Sequence, residues 1–272
     1  MKFFHIFFVA IIALALALTS AEARKAKKTE ESTGAPVEEQ AGSGGNSATR
    51  EGVEAAKAGN WDKAIESFKR AGASDADRYN LAVAYRQRGL AKVKKEDWDG
   101  AISDFTEALK LKEDDAVAHR FRAFAYTRKN EWNKAIEDYN DTLKARRNDG
   151  EALLGRAFAH MQLKQYDKAI GDYSEAIKQQ PKNVEALLGR SYVYELTGKI
   201  DQGLSDVEAV LRIQPTNSEA TNRQKRLVAQ KAKGQPAVAS TPVLVGTPIP
   251  RVSPPPHIGK PSASPAATAT PH

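Results

Sequence analysis

The sequence feature that most constrains the fold is an internal repeat with a period of 34 residues. Four aromatic or apolar residues mark it: Trp98, Trp132, Tyr166 and Ile200. A small residue follows three positions later in each unit, and an aromatic or branched residue four positions after that, as at Ala135 and Tyr139. This spacing puts both side chains on one helix face, one turn apart. Because a single hairpin cannot bury its apolar faces, the units are expected to stack.

Each unit is predicted to contain two amphipathic helices, a front helix and then a back helix, joined by a short turn such as Lys129-Asn130-Glu131 or Thr197-Gly198-Lys199. The 34-residue period, the Ala-x-x-x-aromatic pair and the closing prolines Pro181 and Pro215 resemble the tetratricopeptide repeat family. The resemblance implies an all-α fold: a right-handed α-solenoid of stacked helix-turn-helix repeats with disordered N- and C-terminal segments.

Five repeats are predicted within residues 47–217, at about 45–78, 82–115, 116–149, 150–183 and 184–217. The first repeat is the least regular, because three extra residues follow it. Residues 218–233 lack a second half, so they are predicted to form the polar capping helix that such arrays need for solubility.

The two ends of the chain differ in composition from the repeats. Residues 1–23 have the layout of a secretory signal peptide: Lys2, an apolar run that is short for a membrane span, and small residues up to Ala23. We therefore expect export, with a periplasmic or secreted product after cleavage near Ala23; the alternative is an uncleaved N-terminal membrane anchor. Residues 24–46 are predicted to be a disordered linker, and the Pro/Ser/Thr/Ala-rich residues 234–272 a disordered tail.

The formal charge of +7 is concentrated at the C-terminal end. Residues 45–217 contain 29 basic and 28 acidic residues, whereas residues 218–272 contain seven basic residues and one acidic residue. Five of those seven lie in the predicted capping helix: Arg223, Lys225, Arg226, Lys231 and Lys233. The repeats thus lack a field that would attract nucleic acid. The basic helix supports an alternative function, a structural tether that contacts an anionic membrane or wall polymer.

Sequence motifs for catalysis are missing. The chain contains no cysteine, no His-Glu-x-x-His helix, no phosphate-binding loop and no Gly-x-Ser-x-Gly elbow. His119 and His160 fall at front-helix packing positions, where a structural role is expected. The sequence therefore predicts no catalytic residue, no cofactor and no metal site, and a protein that is not an enzyme.

Two charged columns follow the same period. The first comprises Arg88, Arg122, Arg156 and Arg190, and the second comprises Asp104, Asp138, Asp172 and Asp206. Each arginine precedes an aspartate by 16 residues, so the two are expected to form bidentate pairs within a hairpin or between neighbouring hairpins. We interpret the columns as structural and not as a ladder of anion-binding sites.

A neighbouring stripe on the front helices is the candidate binding surface. Its residues are Arg86, Leu90, Arg120, Phe124, Leu154, Phe158, Met161, Leu188 and Tyr192. In the family that the chain resembles, this stripe lines a concave groove that binds extended peptides or partner helices. The alternative is that these side chains pack on neighbouring repeats. The resulting hypothesis is an exported, non-enzymatic scaffold that binds a protein or peptide, as part of an envelope assembly.

Overall fold

The computed structural model describes residues 46–72 and 74–234. These residues belong to one compact unit, 37–252, and a second unit, residues 1–36 with 253–272, lies outside the described part of the chain. The predicted signal peptide also lies outside it, as do the predicted linker apart from residue 46 and the predicted proline-rich tail apart from residue 234.

Eleven helices and no strands occur in residues 46–72 and 74–234. In chain order they are α1 (Ser47–Lys57), α2 (Trp61–Ala71), α3 (Asp75–Lys94), α4 (Trp98–Leu111), α5 (Ala116–Arg128), α6 (Trp132–Ala145), α7 (Gly150–Gln162), α8 (Tyr166–Gln179), α9 (Val184–Leu196), α10 (Ile200–Ile213) and α11 (Ser218–Ala232).

The helices pack chiefly against their sequence neighbours, in hairpins that stack one on the next. Odd-numbered helices are the front helices and even-numbered helices the back helices. Front helices of successive hairpins from α3 to α9 also contact one another, so they line a common surface. This arrangement confirms the predicted all-α solenoid of stacked hairpins.

Side-chain caps and left-handed turn residues define the helix ends. The front helices α5, α7, α9 and α11 begin after residues whose side-chain oxygens accept backbone N–H bonds: Asp115, Asp149, Asn183 and Asn217. Within the hairpins, the turns contain a residue with positive φ, such as Asn130 at 60° and Gly198 at 73°. Both belong to turns predicted from the sequence. Glycine and asparagine adopt this conformation at little steric cost.

The three extra residues after the first repeat lengthen a helix. Helix α3 has 20 residues, whereas α5 has 13. Its additional N-terminal turns begin at Asp75 and reach back to α1, where the Thr49 hydroxyl donates a 2.8 Å hydrogen bond to the buried Asp77 carboxylate. The insertion is thus accommodated inside the stack without a longer loop.

The core repeats with the sequence period. Each back helix inserts an aromatic or branched side chain between front helices, and all five are buried: Phe68, Phe105, Tyr139, Tyr173 and Val207. Space for these rings comes from glycines on the front helices. A Cβ at Gly155 would lie 2.3 Å from a ring carbon of Tyr139, closer than packed atoms approach.

Among the described residues, none of the helices combines the length and the apolar character needed to cross a membrane.

Candidate partner-binding groove

Four arginine–aspartate pairs each join the front helix of a hairpin to its back helix. In each pair the guanidinium donates two hydrogen bonds to one carboxylate; Arg156 Nε and Nη2, for example, lie 2.9 and 2.6 Å from Asp172 Oδ2 and Oδ1. The same geometry joins Arg88 to Asp104, Arg122 to Asp138 and Arg190 to Asp206. The predicted bidentate pairs are confirmed, and each lies within one hairpin.

All four arginines also reach the preceding hairpin, and Arg88 Nη1 does so by donating a 2.7 Å bond to Asp62 on α2. Nη1 of Arg122, Arg156 and Arg190 donates to a side-chain oxygen on the preceding back helix, 16 residues earlier in the chain. The acceptors are Thr106, Asn140 and Ser174. Each guanidinium therefore bridges two back helices, which leaves these cations engaged within the protein and supports their structural interpretation.

The predicted groove residues follow the front helices, and most of them are buried. Those with 7% or less of their surface exposed are Arg86, Leu90, Arg120, Leu154, Phe158, Met161 and Leu188. Phe124 and Tyr192 remain partly exposed. The stripe is therefore largely a packing surface between repeats, and its two partly exposed aromatic side chains are the members that solvent or a partner can reach.

Aromatic pairs between hairpins support the stripe. Trp98 packs edge-to-face on Phe124, and Trp132 packs edge-to-face on Phe158, each with 5.8 Å between ring centroids. In both pairs the first residue of a back helix contacts the next front helix. Edge-to-face pairs of this kind stabilise by about 0.5–1.5 kcal/mol beyond the area they bury.

The N-terminal half of the stripe is held by buried ion pairs. Arg86 Nη1 donates a 2.6 Å bond to Asp115, the cap of the next front helix. Arg120, one repeat later, contacts Glu151 and lies 3.6 Å from Asp149, the next cap. Because these guanidinium groups already face carboxylates and lie almost wholly out of water, they are poorly placed to bind an external anion.

The C-terminal half of the stripe is apolar. Leucines 154 and 188 stand at the positions equivalent to Arg86 and Arg120. With Phe158, Met161 and Tyr192 they line a cavity of about 20 Å³, which is roughly the space of one water molecule. Arg223 closes this cavity from the capping helix, with its guanidinium 4.9 Å from the Tyr192 ring centroid.

The basic residues of α11 mostly hold that helix against the last hairpin. Arg223 is buried and donates to the Leu188 carbonyl at 2.8 Å and to Glu219 at 3.0 Å. Arg226 donates to both carboxylate oxygens of Glu195, and Lys231 lies 2.7 Å from Asp201. The two other predicted membrane- or wall-contacting residues, Lys225 and Lys233, are exposed. Three of the five cations thus have partners in the fold.

Comparison with known protein families decides the classification. Two tetratricopeptide repeat models match the chain, one over residues 86–152 and one over residues 150–183. Residues 86–183 thus match the tetratricopeptide repeat family. The resemblance read from the 34-residue period is therefore confirmed. No curated protein matches this chain at a significant level.

Solved structures agree with this tetratricopeptide repeat fold. YrrB, described as a tetratricopeptide repeat protein with an unusual peptide-binding site, is 18% identical, with a TM-score of 0.55 over 64% of this chain and 88% of YrrB. MamA is 19% identical, with a TM-score of 0.51 over 71% of this chain and 96% of MamA. A tetratricopeptide repeat protein from Parabacteroides merdae is 22% identical, with a TM-score of 0.51 over 68% and 73% of the two chains. At these identities the similarity establishes the fold alone.

One set of interactions in the candidate groove was not predicted from the sequence. These are the buried pairs that join Arg86 and Arg120 to the next helix caps, although the sequence contains a signal for them. Where the stripe has arginine, the cap 29 residues later is aspartate; where it has leucine, the corresponding cap is asparagine. A buried cation needs a carboxylate nearby, whereas a leucine does not.

Proposed function

We propose that this protein is a non-enzymatic scaffold that binds an extended peptide or a partner helix along its front helices, over the C-terminal half of the stripe. The observation that carries the proposal is the contrast between the two halves. Ion pairs close the N-terminal half, whereas Leu154, Phe158 and Leu188 form an apolar floor beside the partly exposed Tyr192. Partly exposed aromatic side chains over an apolar floor are typical anchors at protein interfaces.

The partner is expected to cover Tyr192 in the C-terminal half and to extend onto Phe124 in the adjoining repeat, because these are the accessible aromatic residues of the stripe. The buried Leu154, Leu188 and Phe158 line the same small cavity as Tyr192 and supply the apolar floor beside it. A peptide bound in this way would be held mainly by apolar burial, so its affinity should change little with ionic strength.

The test is selection of binders from a random peptide library displayed on phage, using the full chain as bait. Peptides that recur are then titrated against the double variant F124A/Y192A by fluorescence anisotropy. We expect the affinity to fall at least about tenfold, as for two interface anchors. The matched control is Lys144→Ala, which alters an exposed residue on a back helix. Binders that retain wild-type affinity for F124A/Y192A, or that lose affinity equally for the control, would contradict the proposal.

The same titrations discriminate the alternative tether. Contact with an anionic polymer through the α11 cations would weaken steeply as salt rises, because exposed charges are screened. The intramolecular partners of Arg223, Arg226 and Lys231 favour a capping role for these residues. We therefore prefer the groove, and binding that disappears at high salt would reverse this preference.

Export, and a place in an envelope assembly, complete the proposal. Both rest on the N-terminal sequence, with its basic residue, apolar run and small residues before the expected cleavage near Ala23. N-terminal sequencing of the protein from fractionated cells tests this directly. A mature chain that begins just after Ala23 supports export, whereas an intact Met1 in the soluble internal fraction contradicts it.

A further inference from the structure

One histidine of the array faces two carboxylates. His119 on α5 points at Asp138 and Asp141 on α6, the partner helix of the same hairpin. His119 Nδ1 lies 2.9 Å from Asp138 Oδ1 and 4.0 Å from Asp141 Oδ2. The three ligand atoms lie within 4.8 Å of one another. One imidazole and two carboxylates are a ligand set used by divalent transition metals.

The other ring nitrogen fixes the tautomer of His119. Nε2 lies 2.9 Å from the backbone carbonyl oxygen of Glu113, which can only accept a hydrogen bond. Nε2 therefore carries a hydrogen, and in the neutral ring the lone pair of Nδ1 points at the two carboxylates. A hydrogen bond from the second ring nitrogen to a backbone carbonyl is the usual outer-shell arrangement of a metal-ligating histidine.

The carboxylates keep oxygen lone pairs for a cation. Arg122 donates to both oxygens of Asp138 at 2.7 Å, which uses one of the two acceptor sites of each oxygen. Lys144 bonds to Asp141 Oδ1 at 2.6 Å, whereas Oδ2 is the oxygen that faces His119. Arg122 and Lys144 thus hold the carboxylates in place as outer-shell partners would.

We propose that His119, Asp138 and Asp141 bind one divalent transition-metal ion of the Zn²⁺ type, which links α5 to α6. Three protein ligands would leave a fourth, tetrahedral position for water. Ca²⁺ is a poor match because it takes six to eight oxygen ligands, and Mg²⁺ because it prefers octahedral oxygen. The proposal concerns hairpin stability and is independent of partner binding in the groove.

Only the hairpin of α5 and α6, among the described hairpins, brings a histidine to this place. The equivalent front-helix positions, at intervals of 34 residues, are Tyr85, Leu153 and Leu187. The aspartate column continues through all of these hairpins because it pairs with arginine. The sequence gives no local metal motif, since the three ligands lie on two helices and are separated by 19 and 3 residues.

The test is calorimetric titration of the tag-free full chain with ZnCl₂, beside the variant D141N. Asp141 is partly exposed, so its neutral isostere should leave the helices intact, as checked by circular dichroism. We expect one strong site in the wild type that is weakened at least about tenfold in D141N and lost in H119Q. The control H160Q, which changes a histidine bonded to Gln165 and not to a carboxylate, should keep the site.

Cobalt provides a second readout. Co²⁺ bound by one nitrogen and two carboxylates should give visible d–d absorption that saturates at one ion per chain, and D141N should reduce it. Zinc should also raise the melting temperature of the wild type in a concentration-dependent way, because it binds the folded state. The absence of a saturable site in the wild type, or identical titrations for wild type and D141N, would mean that a proton alone lies between these groups, and would overturn the proposal.

Discussion

The arginine–aspartate pairs give the sharpest test of how the array is stabilised, and Arg156→Ala is the most informative change. Arg156 makes two bonds to Asp172 and one to the Asn140 side-chain oxygen, at 2.9, 2.6 and 2.8 Å. Its removal leaves the Asp172 carboxylate, whose side chain is 11% exposed, without a cation. Breaking a buried ion pair by removing one partner typically costs about 3–5 kcal/mol.

Partial exposure lowers that figure. The Arg156 side chain is 23% exposed, so water can enter the space left by the guanidinium and solvate part of the carboxylate. We therefore expect a loss of about 2–3 kcal/mol in the free energy of unfolding. For a folded region of this size, that loss corresponds to a fall of roughly 5–10 °C in melting temperature.

The assay is urea and thermal unfolding followed by circular dichroism, for Arg156→Ala, Asp172→Asn and the double variant. Because the residues act as a pair, the double variant should be less destabilised than the sum of the single changes, by about 1 kcal/mol or more. Lys178→Ala is the control, since Lys178 is 80% exposed and lies 3.8 Å from its acidic neighbour. An Arg156→Ala protein that unfolds with wild-type stability but no longer binds a selected peptide would refute the structural interpretation of this column.

Three further predictions address packing, pH and the cap. Gly155→Ala should destabilise the protein by about 1–3 kcal/mol, because the added Cβ would lie 2.3 Å from the buried Tyr139 ring. Its control, Gly171→Ala, meets no atom within 4 Å and should stabilise by about 0.5–1 kcal/mol, so equal shifts in melting temperature would contradict this reasoning. Burial lowers the pKa of His160, so the contribution of its neutral ring to folding stability is present above about pH 6.5 and should be lost as the pH falls through the folded-state pKa. Melting temperatures of the wild type should therefore fall over this pH range by more than those of H160Q. Arg223→Ala should speed amide hydrogen exchange in α11 about tenfold or more while back-helix amides in the middle repeats stay protected, and unchanged exchange would mean that its hydrogen bonds do not hold the cap.

The fold could be predicted from the sequence because its signals are periodic. A spacing of 34 residues fixes which side chains share a helix face, and the constant 16-residue offset between arginine and aspartate brings them together in every hairpin. Local signals also sufficed for the turns, since Asn130 and Gly198 are residues that accept the left-handed conformation. These features depend on neighbours that are close in the chain or related by the repeat.

The exposure of the binding stripe could not be predicted in the same way. Whether Phe158 or Leu188 reaches solvent depends on how closely successive front helices approach, which is a property of the stack. Glycines such as Gly155 let a back-helix ring fill the space behind the front helices, and Trp132 covers Phe158 from the preceding repeat. Spacing alone identifies the stripe but cannot say which of its members are covered.

The distribution of charge along the stripe connects stability to the proposed function. In the N-terminal half, Arg86 and its equivalent are neutralised by aspartate caps, so that each inter-repeat contact carries its own counter-charge. In the C-terminal half leucines replace the arginines and asparagines replace the aspartates, which removes both charges at once. An arginine at position 154 would face a neutral Asn183, and an aspartate at position 183 would face Leu154. Because a buried charge without a partner is costly, the two positions are constrained to change together. The apolar floor beside Tyr192 can therefore exist only where the inter-repeat ion pair is absent. That condition holds in the C-terminal half of the stripe, where we expect a partner to bind.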